Sequence, residues 1–219
     1  MKKTILTTLI LGALIVSCGN NGKKATTEEA KEVTETKVET TVTYTNISDG
    51  SNLDWRASHL AGTSPRFGKI SLQSGSFSAN NNELTNGKVA IEMSSLTVTS
   101  FPEGDEKNTD LANHLKSADF FDVEKNPVAT FEITKVEKAS GDFSNTITGN
   151  LTIMGISKSI TFNANVNVSD NGVSIKSEDF SVDRKDWNLN YHAEGTEGVP
   201  VDYLIADDIG FTINVSVSK

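Results

Sequence analysis

Apolar and polar residues alternate along most of the chain from Tyr44 onward, and this period of two limits the fold more than any other feature. The clearest case is ITGNLTIMGISKSITFNANVNVS, residues 147–169. Successive side chains of a strand point to opposite faces, so this segment has one apolar and one polar face. We predict a hairpin that turns near Gly155 to Lys158. The same alternation or weaker strand signals occur at 51–60, 65–72, 74–80, 89–94, 129–134, 172–182 and 211–218.

These segments amount to about eight to ten strands, separated by turn signals such as SDGS, NNNE and SDNG. A sheet with one apolar face must close on itself or stack on a second layer. Many antiparallel strands joined by short turns favour a barrel or a sandwich. An eight-stranded barrel is either filled by its own side chains or holds one small ligand, and the alternation alone does not decide between these.

One segment, NTDLANHLKSADFFDVEKNP at residues 108–127, interrupts the alternation. Leu111, Leu115 and Ala118 follow a helical spacing, and Asp110 is a candidate N-cap. We predict a short helix over about 109–119 that packs across one opening of the barrel. Phe120 and Phe121 follow it and are expected to line or plug that opening.

The N-terminus has the pattern of an export signal. MKKTILTTLILGALIVSC begins with two lysines, continues with an apolar run too short to span a bilayer, and ends at the only cysteine, Cys18. IVSC resembles a bacterial lipobox, so we predict a signal peptide over 1–17 and lipid attachment at Cys18; the alternative is an ordinary signal peptide with an incidental cysteine. The following 18–43 segment, rich in Thr, Glu and Lys, is predicted to be a flexible tether, and 44–218 the barrel domain.

Composition excludes several functions. The formal net charge is −9, which disfavours binding to nucleic acid. A single cysteine permits no intramolecular disulfide, and no metal-ligand, nucleophile or phosphate-loop motif is present, so neither an enzyme nor a resident cofactor is expected. Because Gly19 rather than an acidic residue follows Cys18, we expect an exported lipoprotein of the cell envelope, in the outer membrane and facing the periplasm.

Three segments resemble those of the YceI-like proteins, a lipocalin-like family that binds polyisoprenoids and other lipids. They are HLKSADFFDVEKNPVATFEI, ITGNLTIMGISKSITF and FSVDRKDWNL, which begin at residues 114, 147 and 180. The resemblance covers about 44–218 and implies an all-β fold: an extended antiparallel lipocalin-like barrel whose lumen binds an isoprenoid chain lengthwise. Two departures are Thr109, where many members carry arginine, and the acidic segment 194–208.

The resemblance makes a polyisoprenoid, prenyl quinone or fatty acyl lipid the expected ligand, for sequestration or transport, with Arg184 as a head-group contact. The alternative is an envelope interaction module with a filled barrel and no ligand. Whether the chain forms a homodimer is left open. The expected lumen residues are Phe67, Phe77, Met93, Leu115, Phe120, Phe121, Phe131, Ile133, Leu151, Ile153, Phe162 and Phe211.

Overall fold

A computed structural model describes residues 22–33 and 41–219. Within them lie one α-helix, α1 (Glu106–Lys116), and four short 3₁₀ helices, Leu60–Gly62, Met93–Ser95, Arg184–Trp187 and Val201–Tyr203. The strands are β1 (Lys23–Lys24), β2 (Thr26–Glu29), β3 (Val42–Tyr44), β4 (Asn46–Ile47), β5 (Asn52–Ala57), β6 (Arg66–Asn80), β7 (Glu83–Glu92), β8 (Val128–Lys138), β9 (Asn145–Ile153), β10 (Ile156–Ser169), β11 (Gly172–Ser177), β12 (Phe180–Asp183) and β13 (Asp208–Ser218).

The strands close into an eight-position antiparallel barrel, which confirms the predicted fold class. Neighbouring strands from β6 to β10 pair in chain order, β10 pairs with β11, and β11 and β12 both pair with β13. The barrel closes because β5 pairs with β13 on one side and with β6 on the other. Inward side chains from every wall strand form one continuous apolar core.

The hairpin of β9 and β10 has the predicted faces but a tighter turn. Its two turn residues, Met154 and Gly155, both have positive φ, and pairing resumes at once with Ile153 opposite Ile156. Such two-residue turns match the right-handed twist of the flanking strands. The turn therefore ends before Lys158, which is already part of β10 and pairs with Leu151.

A β-bulge divides β6 into two halves with opposite inward parity. The register against β7 shifts between Leu72 and Ser74. Ile70 is buried before the bulge, whereas Phe77 and Ala79 are buried after it. One extra residue in a strand moves every later side chain to the other face, so a parity count that runs through the bulge fails.

Residues 22–33 form part of the barrel wall, which differs from the tether expected over 18–43. Up to Ser177, β11 fills the space between β10 and β13 and pairs with both. After Ser177 the chain continues as β12, which pairs with β13 but not with β10. There β1 pairs in parallel with β12, and β2 pairs antiparallel with β10. The amide of Ala25 donates to the Ser181 carbonyl at 2.7 Å. Val42 and Thr43, at the end of the expected tether, also belong to a strand, β3, which pairs with β6. Residues 34–40, the signal peptide and Cys18 lie outside the described residues.

Backbone pairing and charge, with little apolar burial, hold this N-terminal strand. Ala25 is its one buried side chain. Lys24 lies 2.7 Å from Asp208 and 3.7 Å from Asp183. Burial alone would lower the pKa of Lys24, but these carboxylates outweigh it and raise the pKa. Such a strand is stabilised by hydrogen bonds that complete an existing sheet and needs few buried apolar side chains. A prediction based on apolar residues therefore misses it.

The helix lies at one end of the barrel, as predicted, but it begins and ends earlier than the expected 109–119. Asp105, not Asp110, is the N-cap, and its carboxylate accepts a hydrogen bond from the Lys107 amide at 3.0 Å. The first turn, Glu106 to Asn108, carries no apolar residue, so apolar spacing could not detect it. Among the described residues, no helix has both the length and the apolar character needed to cross a bilayer.

Candidate functional site

Three cavities follow one another along the inside of the barrel, from the helix end to the opposite end. The mouth cavity has a volume of about 120 Å³, the middle cavity about 70 Å³ and the far cavity about 30 Å³. Ile70, Phe121 and Phe211 line both the mouth and the middle cavity, whereas Phe131 and Ile213 line both the middle and the far cavity. The shared residues place the three cavities next to one another inside the barrel.

The mouth cavity lies beneath α1. Leu111 and Leu115 of the helix, and Phe120 and Phe121 after it, supply its upper wall. The opposite wall comes from the barrel, where Trp55 donates its indole N–H to the Thr97 carbonyl at 3.1 Å. That bond satisfies the one polar atom of the Trp55 ring, so the cavity meets an apolar aromatic surface.

Aromatic contacts hold the helix against the segment that follows β12. The His114 ring lies edge-on to Phe120 at 5.1 Å and to Tyr191 at 5.2 Å. His114 Nε2 also lies 3.0 Å from an Asp119 carboxylate oxygen. His114 therefore packs the helix against Phe120 and Tyr191.

The polar groups of the site are confined to the mouth cavity. His59 Nδ1 lies 2.6 Å from the Asp202 carbonyl oxygen, so neutral His59 must donate from Nδ1 and keep Nε2 as an acceptor. Arg66 is half-buried and lies over the Phe101 ring, with its guanidinium carbon 4.6 Å from the ring centroid. The middle cavity is lined by aliphatic and aromatic side chains alone. A ligand fitted to this arrangement has an apolar chain and one polar end.

Arg184 lines the mouth cavity, but its guanidinium is occupied by backbone carbonyls of the surrounding segments. Its side chain is only 2% exposed. The guanidinium donates to four backbone carbonyls, those of Leu189 (2.5 Å), Tyr191 (3.0 Å), Ile205 (3.2 Å) and Ala206 (3.2 Å). Burial lowers the pKa of this group, and Asp207, 3.7 Å away, partly offsets that effect. These contacts give Arg184 a structural role, and its predicted contact with a ligand head group stays a prediction.

Eleven of the twelve predicted lumen residues line the cavities. Leu115 and Phe120 line the mouth cavity, and Phe121 and Phe211 line both mouth and middle. The middle cavity also includes Met93, Leu151 and Ile153, the far cavity includes Phe77, Ile133 and Phe162, and Phe131 lines both.

Phe67 is the exception, since its side chain is 46% exposed on the outer face. It precedes the β-bulge of β6, whereas Phe77 follows it. The two share a parity in the sequence but point to opposite faces in the barrel. The expectation that Phe67 lines the lumen is wrong for this reason.

Several lining residues were missed. Trp55 and Ala57 share one strand face with Leu53, at every second position of a predicted strand, so their place in the lumen could have been inferred from that spacing. His59 continues the same parity within the predicted segment 51–60. No such signal marks Leu189 or Ile205, which reach the mouth cavity from connecting segments. Within residues 22–33 and 41–219, no group of three histidine, cysteine or acidic side chains is arranged to hold a metal ion.

A closed antiparallel barrel with a series of apolar cavities and a helix across one end places the molecule in the class of small β-barrels with a lumen that can hold a ligand. The sequence profile of the YceI-like domain matches residues 26–217, and the chain belongs to the YceI-like family. Family and fold together are consistent with an apolar ligand.

Two curated relatives are UPF0312 proteins. The chain is 38% identical over 112 residues to one from Pseudomonas aeruginosa, which covers 51% of this chain and 54% of the relative. It is 34% identical over 115 residues to one from Pseudomonas putida, covering 52% and 56%. The matched part thus spans about half the length of these relatives.

A solved structure shares the fold. BcnA of Burkholderia cenocepacia superposes with a TM-score of 0.55 and 17% identity, covering 76% of this chain and 95% of that chain.

Proposed function

We propose that this protein is an envelope lipoprotein, anchored by acylation of Cys18, that binds one apolar chain lipid in its barrel for sequestration or transport. The candidate ligands are a polyisoprenoid, a prenyl quinone or a fatty acyl lipid. The observation that carries the proposal is the row of three apolar cavities inside the barrel. The row leads from a mouth with polar groups to an apolar far end. The lipobox at residues 15–18 supports the anchor and the envelope location.

The length of this row of cavities suits an extended lipid chain better than a compact ligand. Each methylene moved from water into an apolar lumen contributes about 0.8 kcal/mol, so ten of them offer roughly 8 kcal/mol. Association and chain ordering offset a large part of that. The ligand must also turn Phe121 and Phe211 aside, since these rings separate the mouth cavity from the middle cavity.

Besides Arg184, whose guanidinium is occupied by backbone carbonyls, Arg66 and His59 are the groups that we expect to meet the polar end of the ligand. Both line the mouth cavity, and both are partly exposed, so a head group there stays close to water. Arg66 offers a permanent positive charge, and His59 Nε2 offers an acceptor or, once protonated, a donor. These two groups would hold a carboxylate, a phosphate or a quinone oxygen.

Native mass spectrometry of the protein purified from a bacterial envelope, followed by organic extraction, tests the proposal. We expect one added mass per chain that extracts as a prenyl or acyl lipid. A bare mass that stays unchanged after incubation with farnesol and with palmitic acid would contradict it. That result would favour the alternative, an interaction module whose barrel holds no ligand.

A further inference from the structure

We propose that the helix end of the barrel docks on the surface of a neutral lipid bilayer, through an exposed apolar arc next to the mouth cavity. This inference rests on the proposed function and adds the place where the cargo enters and leaves. The arc consists of four side chains with large exposed fractions: Val201 (69%), Tyr203 (61%), Phe67 (46%) and Val128 (37%).

The topology places all four residues at the same end of the barrel. Phe67 and Val128 lie at the starts of β6 and β8, which both begin at the helix end. Val201 and Tyr203 belong to a 3₁₀ turn held against the connection between β5 and β6, because the Leu60 amide donates to the Leu204 carbonyl at 3.0 Å.

The opposite end of the barrel has a different character. Its connections are short polar turns, including Asn81–Asn82 and Asp170–Asn171. Within the described residues, the one other large apolar side chain with comparable exposure is Val33, which follows the N-terminal strand. The exposed apolar surface is therefore an asymmetric feature of the helix end and not a general property of the wall.

The arc adjoins the mouth cavity directly. His59, which lines that cavity, touches the same turn through the Asp202 carbonyl and pairs with Ile205. A chain lipid that moves between bilayer and barrel at this place would not cross water. Tyrosine with an aliphatic neighbour is also a composition typical of the membrane interface, where an aromatic ring sits at the level of the head groups.

Charge indicates which bilayer fits. The segment 194–208, which carries Val201 and Tyr203, contains five acidic residues and no lysine or arginine. Asp207 and Asp208 are paired with Lys185 and Lys24, so the repulsive charge comes from Glu194, Glu197 and Asp202. Anionic lipids would be repelled by this segment, whereas zwitterionic phosphatidylcholine would not. We therefore expect contact with neutral vesicles and weaker contact with vesicles rich in phosphatidylglycerol.

The start of the chain is compatible with this orientation. Three residues lie between Cys18 and Gly22. The four steps from one Cα atom to the next span at most about 14 Å. Gly22 lies against Asp179, which comes just before β12. The length of β12, from Phe180 to the helix end of the barrel, is only about 10 Å. An acyl anchor on Cys18 can therefore reach the same bilayer plane as the arc.

The test uses a fluorophore at either end of the barrel. Two variants of the chain from residue 18, which contains every described strand, carry Cys18→Ser and one new cysteine, at Asp202→Cys or Asp170→Cys. Asp202 lies between the two most exposed arc residues, and Asp170 occupies an exposed turn at the opposite end. Each labelled protein is mixed with phosphatidylcholine vesicles that contain a lipid with a nitroxide on its acyl chain.

We expect saturable quenching of the label at 202 and none at 170. Adding Val201→Ser and Tyr203→Ser should weaken vesicle binding about ten-fold, whereas Val201→Leu with Tyr203→Trp should preserve it. No quenching at 202, equal quenching at both positions, or binding to phosphatidylglycerol vesicles alone would overturn the proposal. The lipid retained in the lumen is measured by native mass spectrometry on the same samples. Protein that retains lipid but shows no quenching has failed to dock, whereas protein without lipid has failed in the proposed lipid binding.

Discussion

Replacing Ala129 by phenylalanine should empty the barrel of lipid while the protein stays folded. Ala129 is buried in β8 and lines the middle cavity, so a larger side chain there blocks the passage between mouth and far end. Added volume in a packed core costs about 1–3 kcal/mol, and the existing void of about 70 Å³ reduces that cost. Ile153→Trp, in the wall of the same cavity, should act in the same way.

The matched control is Ala90→Phe, which adds the same group to the outer face of β7, where Ala90 pairs with Thr130. Native mass spectrometry should find wild-type lipid content in the control and at least a ten-fold loss in Ala129→Phe. Thermal unfolding of both variants shows whether they are folded. If Ala129→Phe kept its lipid at the wild-type ratio, the lumen could not be the binding site.

Replacing Arg184 by methionine should destabilise the protein by about 3–5 kcal/mol. The change removes the donors of four backbone carbonyls and leaves Asp207 without its buried partner charge. Buried acceptors that lose their donors bear the full cost of desolvation. Denaturant unfolding measures the difference in the free energy of unfolding.

Lys185→Met is the control for charge. Lys185 lies 2.5 Å from the same Asp207, but its own side chain is exposed. Hydrogen bonding to Asp207 raises its pKa although burial opposes this, and an exposed pair of this kind is worth at most about 1 kcal/mol. If Arg184→Met were no less stable than Lys185→Met and instead lost its lipid, Arg184 would be a head-group ligand after all.

The strands and their apolar faces could be predicted from the sequence because each depends on local alternation. Ile160, Phe162 and Ala164 are buried on one face of β10, as the period of two requires. The short helix was found from Leu111 and Leu115, and both lie over the mouth cavity.

The errors arise where distant contacts decide the local structure. The β-bulge between Leu72 and Ser74 turned Phe67 outward, and nothing in the alternation of residues 65–80 marks it. The pairing of residues 23–29 in the wall depends on a gap between β10 and β12 that exists only in the folded barrel. The four carbonyls that accept from Arg184 belong to two separate segments, one that includes Tyr191 and one that includes Ile205. Sequence spacing cannot reveal that these segments meet around one side chain.

The most direct test of the central claim, that a lipid chain lies inside the barrel, is the quenching of Trp55 fluorescence by a dibrominated stearic acid. Trp55 lines the mouth cavity, and Trp187→Phe leaves it as the only tryptophan in the chain. If a chain enters the lumen, Trp55 emission should fall saturably at one fatty acid per protein, and Ala129→Phe should weaken the effect. Emission that stays constant up to the solubility limit of the fatty acid, in a protein freed of lipid beforehand, would contradict the account.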